Sequence, residues 1–124
     1  MLAQFVSVIG EFPNVGFVFN EYLIGEQPIH AMQGMQFERV MLGPLFLREN
    51  LLGAWGCPVH GTALIRRSCF EEVGGMDLRF GLLADVDLWM RLSARWDVGY
   101  VTKPVLTIHQ ERPKDYPRDY VGFT

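Results

Sequence analysis

The segment from Gly74 to Leu92 constrains this chain more than any other. It reads Gly74-Gly75-Met76-Asp77, a short loop containing Phe80, then Ala84-Asp85-Val86-Asp87-Leu88-Trp89-Met90-Arg91-Leu92. The paired glycines predict a turn. The two carboxylates after it open a stretch with Leu88, Trp89, Leu92 and Trp96 on or near one helical stripe. A helix N-terminus leaves backbone N–H groups unpaired and favours negative charge, so acids there are stabilised as anions. Asp85 and Asp87 can simply cap the helix, a common use of acids in first turns. An ionised Asp at the mouth of a loop can also accept a proton or hold a metal ion. Asp87 stands i,i+4 from Arg91 and can pair with it.

The rest of the chain has an α/β rhythm. Leu2, Phe5, Val6 and Ile9 predict a helix over residues 2–11, stopped by Pro13-Asn14. Gly16 to Asn20 reads as a short apolar strand and Gly25 to Pro28 as a loop. Met32, Met35, Gln36, Arg39 and Val40 suggest a helix ending near Gly43-Pro44, with a second helical piece from Leu45 to Leu52. Gly53 to Gly61 is a glycine-punctuated loop holding Trp55, Cys57, Pro58 and His60. Thr62 to Ile65 reads as a strand. Ser68 with Glu71 is a capping-box pattern, so a short helix should run to Val73 and stop at Gly74. Val98 to Val101 and Val105 to Ile108 read as two strands separated by a turn at Lys103-Pro104. Residues 110–124, rich in proline, charge and tyrosine, should be an irregular tail.

Composition narrows the function classes. At 124 residues the chain is one domain or part of one. Hydrophobic residues make up 49% and charged residues 20%, which is apolar for so short a chain, so some surface is expected to be covered. A net charge of -3 argues against a nucleic-acid partner, which favours a basic face. No apolar run approaches the roughly 18 residues needed to span a bilayer, and no basic-then-apolar leader opens the chain. Cys57 and Cys69 fit no metal or redox spacing and read as reduced thiols of a cytoplasmic protein.

Gly-Gly-x-Asp, a loop, then x-Asp-x-Asp-Leu-Trp-x-Arg-Leu resembles the acceptor-side signature of the inverting family-2 glycosyltransferases of GT-A fold. The similarity takes in Ala63 to Val73 upstream, and Pro104-Val105-Leu106 and His109 downstream. The resemblance implies an α/β chain, a partial GT-A domain of the nucleotide-diphospho-sugar transferase type, with a mixed sheet and flanking short helices. By position Asp85 is the base that deprotonates the acceptor hydroxyl, with Ala84 standing where the family usually has Glu. A carboxylate base gains from partial burial, here expected beside Leu82, Leu83 and Trp89. The acceptor-facing set is Trp55, His60, Asp77 and Trp89. Trp55 lies in a loop and is the better stacking platform, whereas helical spacing groups Trp89 and Trp96 with the core residues Leu88 and Leu92. His60 also reads as an ordinary loop histidine. His109 is placed near the metal or the donor phosphates, although a lone histidine at a strand end is more often a surface or hydrogen-bonded residue. Arg66-Arg67 could face phosphate but reads as a solvated pair.

The family's nucleotide-binding half ends in an Asp-x-Asp that holds a divalent metal, Mg or Mn, against the diphosphate. No such motif precedes this segment, and the only Asp-x-Asp is Asp85 to Asp87. Residues 1–124 are therefore expected to be the C-terminal half of a glycosyltransferase domain. That half would act with a nucleotide-sugar donor and a hydroxyl acceptor, and would be inactive alone. The alternative is a non-catalytic remnant or protein-interaction module. A small hydrolase using Asp85 with Asp77 or Asp87 is a third reading, with no second motif behind it. Without the other half, strands 16–20 and 62–65 should carry an uncovered edge or face, which predicts a homo-oligomer. The expected location is cytoplasmic, or the inner membrane face for a full-length protein.

Overall fold

The computed structural model describes residues 2–53, 56–60 and 62–108. A mixed sheet is built around one central strand. Helix α1 (Leu2–Glu11) leads into β1 (Val15–Ile24), which is longer than its apolar core predicts. One edge of β1 pairs in parallel with β5 (Asp97–Ile108). The other edge pairs antiparallel with β4 (Ala63–Ile65) at Phe17 to Phe19 and with β2 (Gln27–Pro28) at Leu23 and Ile24. A two-residue strand, β3 (Val40–Met41), lies against the outer edge of β5 at Val98 and Gly99.

Both faces of the sheet are covered. On one, α1 buries Phe5 and Val8 against Val15, Val18 and Val101. Leu2 and Val6, which the helical spacing places on the apolar stripe, point outward instead. Gly99 permits this packing, because a Cβ there would come within 2.8 Å of Val8 Cγ1. The other face carries the larger core. It is closed by α3 (Gly43–Phe46), its π-helical continuation Leu47–Leu51, and α5 (Ala84–Ser93). Phe17, Phe19, Phe46, Leu88, Trp89, Leu92 and Tyr100 fill it. Each fully buried side chain of this size contributes roughly 1.5–3 kcal/mol of transfer free energy. At Gly43 any side chain would overlap the carbonyl oxygens of Ser93 and Trp96, so glycine is what lets α3 start against the end of α5.

Several local expectations are corrected. The helix expected over residues 32–40 is only α2 (Ile29–Met32). Gly34 adopts φ +74°, and the following chain is drawn into the sheet at β3, so ladder pairing overrides helical spacing. Helix α4 (Arg67–Glu72) begins one residue before Ser68, with Arg66 at the N-cap and no side-chain cap. Arg66 is not solvated. Its guanidinium donates to the carbonyls of Val15 (2.9 Å), Ile9 (2.6 Å) and Phe12 (3.2 Å), fastening the end of α1 to the sheet. The two strands expected near the C-terminus form one. No turn forms at Lys103-Pro104; the register jumps there instead, with Val101 opposing Asn20 and Leu106 the next residue paired, with Tyr22. Pro104 lies in that gap, where its missing N–H costs the ladder nothing. Finally, β1 is central rather than an edge. No helix among the described residues is long and apolar enough to cross a membrane.

Candidate functional site

The glycine turn and the N-terminal half of α5 form one unit. Gly74 and Gly75 take φ of +86° and +73°, the left-handed region that glycine enters without steric cost. Arg91, two turns along α5, reaches back to hold them. Its Nη1 donates to the Val73 carbonyl (2.8 Å), its Nη2 to the Gly75 carbonyl (2.7 Å) and its Nε to Asp87 Oδ2 (2.9 Å). Asp87 thus orients Arg91, and Arg91 locks the turn. Arg91→Ala is expected to cost about 2 kcal/mol, the order of three charge-assisted hydrogen bonds at a half-buried site. Asp87→Asn should cost less, since the two carbonyl contacts remain. Chemical denaturation of the two variants reads the difference.

Asp77 is taken up locally. It caps the 3-10 segment Leu78–Leu83, accepting from the Arg79 N–H (3.1 Å) and from its guanidinium (2.7 Å at the closest). The hydrogen bonds from Arg79 hold its carboxyl down to about 2. Gly81, at φ 58°, breaks the segment, and Leu78, Phe80, Leu82 and Leu83 stand out in solvent. Leu82 and Leu83 are 46% and 48% exposed, so they do not enclose Asp85 as expected.

Asp85 occupies the second position of α5, half-buried. The residue flanking the helix start is Leu83, so Asp85 is not its N-cap. Its Oδ1 accepts the Val86 N–H (2.8 Å), and among the described residues it forms no ion pair. Two helical residues are about 200° of rotation, which sends Asp85 and Asp87 to opposite sides of α5. The Asp85 charge adds to the rise of the Cys57 pKa and partly offsets the fall of the His60 pKa. Burial, seconded by Asp85, pushes the Cys57 thiol up to about 11, and its Sγ donates to the Val59 carbonyl at 3.7 Å. A thiol so shifted is not a nucleophile near neutral pH. His60 is exposed and lies against the Tyr22 ring, centroid to centroid 4.5 Å. Desolvation of its ring by the surrounding protein lowers its pKa, His30 lowers it further, and Asp85 opposes both.

Trp89 belongs to the core. It is 8% exposed and lies against Phe17 at 4.8 Å, which leaves its ring no open face for an acceptor. Its Nε1 has no hydrogen-bond partner among the described residues. Trp55 and His109 lie outside the described residues. Among the described residues no three His, Cys, Asp or Glu side chains converge, and Asp87 is committed to Arg91. Comparison with known proteins gives no matching family model, no matching curated protein and no matching solved structure.

One cluster was not anticipated. Glu21, 5% exposed within β1, accepts the N–H groups of Tyr22 (3.0 Å) and His30 (2.8 Å) on Oε1 and that of Ala31 (3.0 Å) on Oε2. It thereby supplies the start of α2 with the acceptor that Pro28 lacks. His30, 1% exposed, bridges the Tyr100 hydroxyl (Nδ1, 3.0 Å) and the Pro58 carbonyl (Nε2, 2.8 Å). A lone acid inside the apolar run Gly16 to Ile24 was the available signal, because a carboxylate buried in a strand needs donors.

Proposed function

We propose that this chain is the acceptor-side half of an inverting nucleotide-sugar glycosyltransferase domain of GT-A type, with Asp85 as the base. The observation that carries this reading is the division of labour within the motif. Asp87, Arg91 and the Gly74-Gly75 turn satisfy one another, and Asp77 is satisfied by Arg79. Asp85 alone is left half-exposed at the helix N-terminus without a cationic partner among the described residues. A carboxylate so placed accepts the proton of an acceptor hydroxyl as its oxygen attacks the sugar carbon bearing the nucleotide diphosphate. Donor binding and stabilisation of the leaving diphosphate belong to a nucleotide-binding half, in the same protein or another chain.

The test is calorimetric titration with UDP, GDP and their sugars, with and without manganese. It is run on this chain and on the longest natural protein that contains it. The reading expects metal-dependent binding and sugar transfer by the longer protein and no turnover by the isolated chain. A longer protein that binds no nucleotide overturns it.

A second reading, a protein-interaction module, is favoured by the exposed apolar residues Met76, Leu78, Phe80, Leu82 and Leu83. Both readings expect this chain to self-associate. Light scattering at micromolar concentration should show a dimer or larger species, and a clean monomer counts against it.

A further inference from the structure

Each nitrogen of the buried His30 ring faces a hydrogen-bond acceptor. Nε2 lies 2.8 Å from the Pro58 carbonyl, which can only accept. Nδ1 lies 3.2 Å from Glu21 Oε1, and His30 is the only ion-pair partner of Glu21 among the described residues. Both oxygens of that carboxylate already accept backbone N–H groups, two on Oε1 and one on Oε2. A neutral imidazole carries one proton. Placed on Nε2, it leaves the Nδ1 lone pair against the Glu21 carboxylate. Placed on Nδ1, it leaves the Nε2 lone pair against the Pro58 carbonyl. Only a ring protonated at both nitrogens donates in both directions, and the Tyr100 hydroxyl oxygen, 3.0 Å from Nδ1, can share the second proton.

We propose that His30 is a buried imidazolium paired with Glu21, and that the pair is a pH-sensitive latch joining β1, the start of α2 and the loop Gly56–His60. Through Nε2–H the ring holds the loop at Pro58. Through Nδ1–H it neutralises the carboxylate that receives the first N–H groups of α2. Loss of one proton forces one of these contacts to give way, so this corner of the fold loosens as pH rises. The latch does not depend on the glycosyltransferase reading.

The titratable groups around the ring are Glu21 and Tyr22 on β1, Tyr100 on β5 and His60 at the end of the loop. Burial, seconded by Glu21, raises the pKa values of both tyrosines, so they stay uncharged. Burial is also the largest influence on His30 and lowers its pKa, while the Pro58 carbonyl and Glu21 raise it. Deprotonating His30, however, exchanges a neutral pair for a buried carboxylate without a counter-charge, the costlier state. The pair as a unit therefore holds the ring proton above the ordinary histidine range. Stability gained from a pKa raised on folding is complete below the unfolded value and is lost as pH rises through the folded one.

Nitrogen-edited NMR of the full chain, labelled at histidine, reads the protonation state without needing any activity. The chain has three histidines, and His60→Gln and His109→Gln assign His30 by elimination. At a pH clearly above the ordinary histidine value of about 6.5, both ring nitrogens of His30 are expected to carry slowly exchanging protons. A ring with a single proton overturns the proposal, whether or not any variant folds. Glu21→Gln removes the charge and keeps an acceptor, and its His30 should lose the second proton at that pH. A doubly protonated ring in a folded Glu21→Gln overturns the pairing. Urea denaturation reads the latch itself. The wild-type midpoint should fall as pH rises through the His30 titration, and His30→Gln should show no fall across that window. The Cys57 thiol, raised by burial, adds a decline at higher pH that both proteins share. A flat wild-type midpoint, or the same fall in His30→Gln, overturns the latch.

Discussion

On the glycosyltransferase reading proposed above, Asp85→Asn in the longer protein is expected to lower turnover by about a thousand-fold, the middle of the range for a positioned proton acceptor. Stability should hardly change. The only hydrogen bond Asp85 makes among the described residues is with the Val86 N–H, which an asparagine Oδ1 can also accept. Surface changes of this kind fall within about 0.5 kcal/mol. Asp87→Asn is the internal control. It breaks the ion pair with Arg91 and should lower stability while retaining most of the turnover. Rates measured at saturating donor, with a denaturation curve for each variant, separate the two. A full rate in Asp85→Asn would remove Asp85 from the chemistry.

Glu21→Ala is expected to destabilise the fold by about 4 kcal/mol, the largest effect on stability of a single change considered for this chain. Its two oxygens accept three backbone N–H groups, all buried or half-buried. Each donor left without a partner costs about 1–3 kcal/mol, and the cavity adds to that. Glu21→Gln should be milder, because one oxygen remains to accept from Tyr22 and His30, while the new amide group opposes the Ala31 N–H. Urea denaturation reads this as a lower midpoint with an unchanged slope. A near-neutral Glu21→Ala would mean that α2 starts without its cap. His30 would then need another explanation for its fixed place.

Much of the local architecture was legible because it is decided within a turn or two of chain. The helix over residues 2–11 follows from its apolar spacing and the Pro13-Asn14 stop, and its bounds match those of α1. The glycine turn, the helix opening at Ala84 and the Asp87–Arg91 pair follow from spacing in the same way. Where a distant segment competes, local signals lose. Val40 and Met41 leave a helical pattern because β5 offers them ladder partners, and Arg66 leaves solvent because three carbonyls near the end of α1 and the start of β1 need a donor.

The candidate site divides along the same line. The order of residues alone determined that two carboxylates open α5 and that Arg91 stands one turn beyond the second. A helix of fixed pitch leaves those two acids on opposite sides. Only the tertiary structure decided which of them is spent on structure. It carried the carbonyls of Val73 and Gly75 to Arg91, and the His60 ring to Tyr22. It also joined Glu21, His30, Tyr100 and Pro58, which lie up to 79 positions apart in the chain. Hydrogen bonds between such distant residues have no spacing rule, because they exist only once the sheet has closed and excluded water from them.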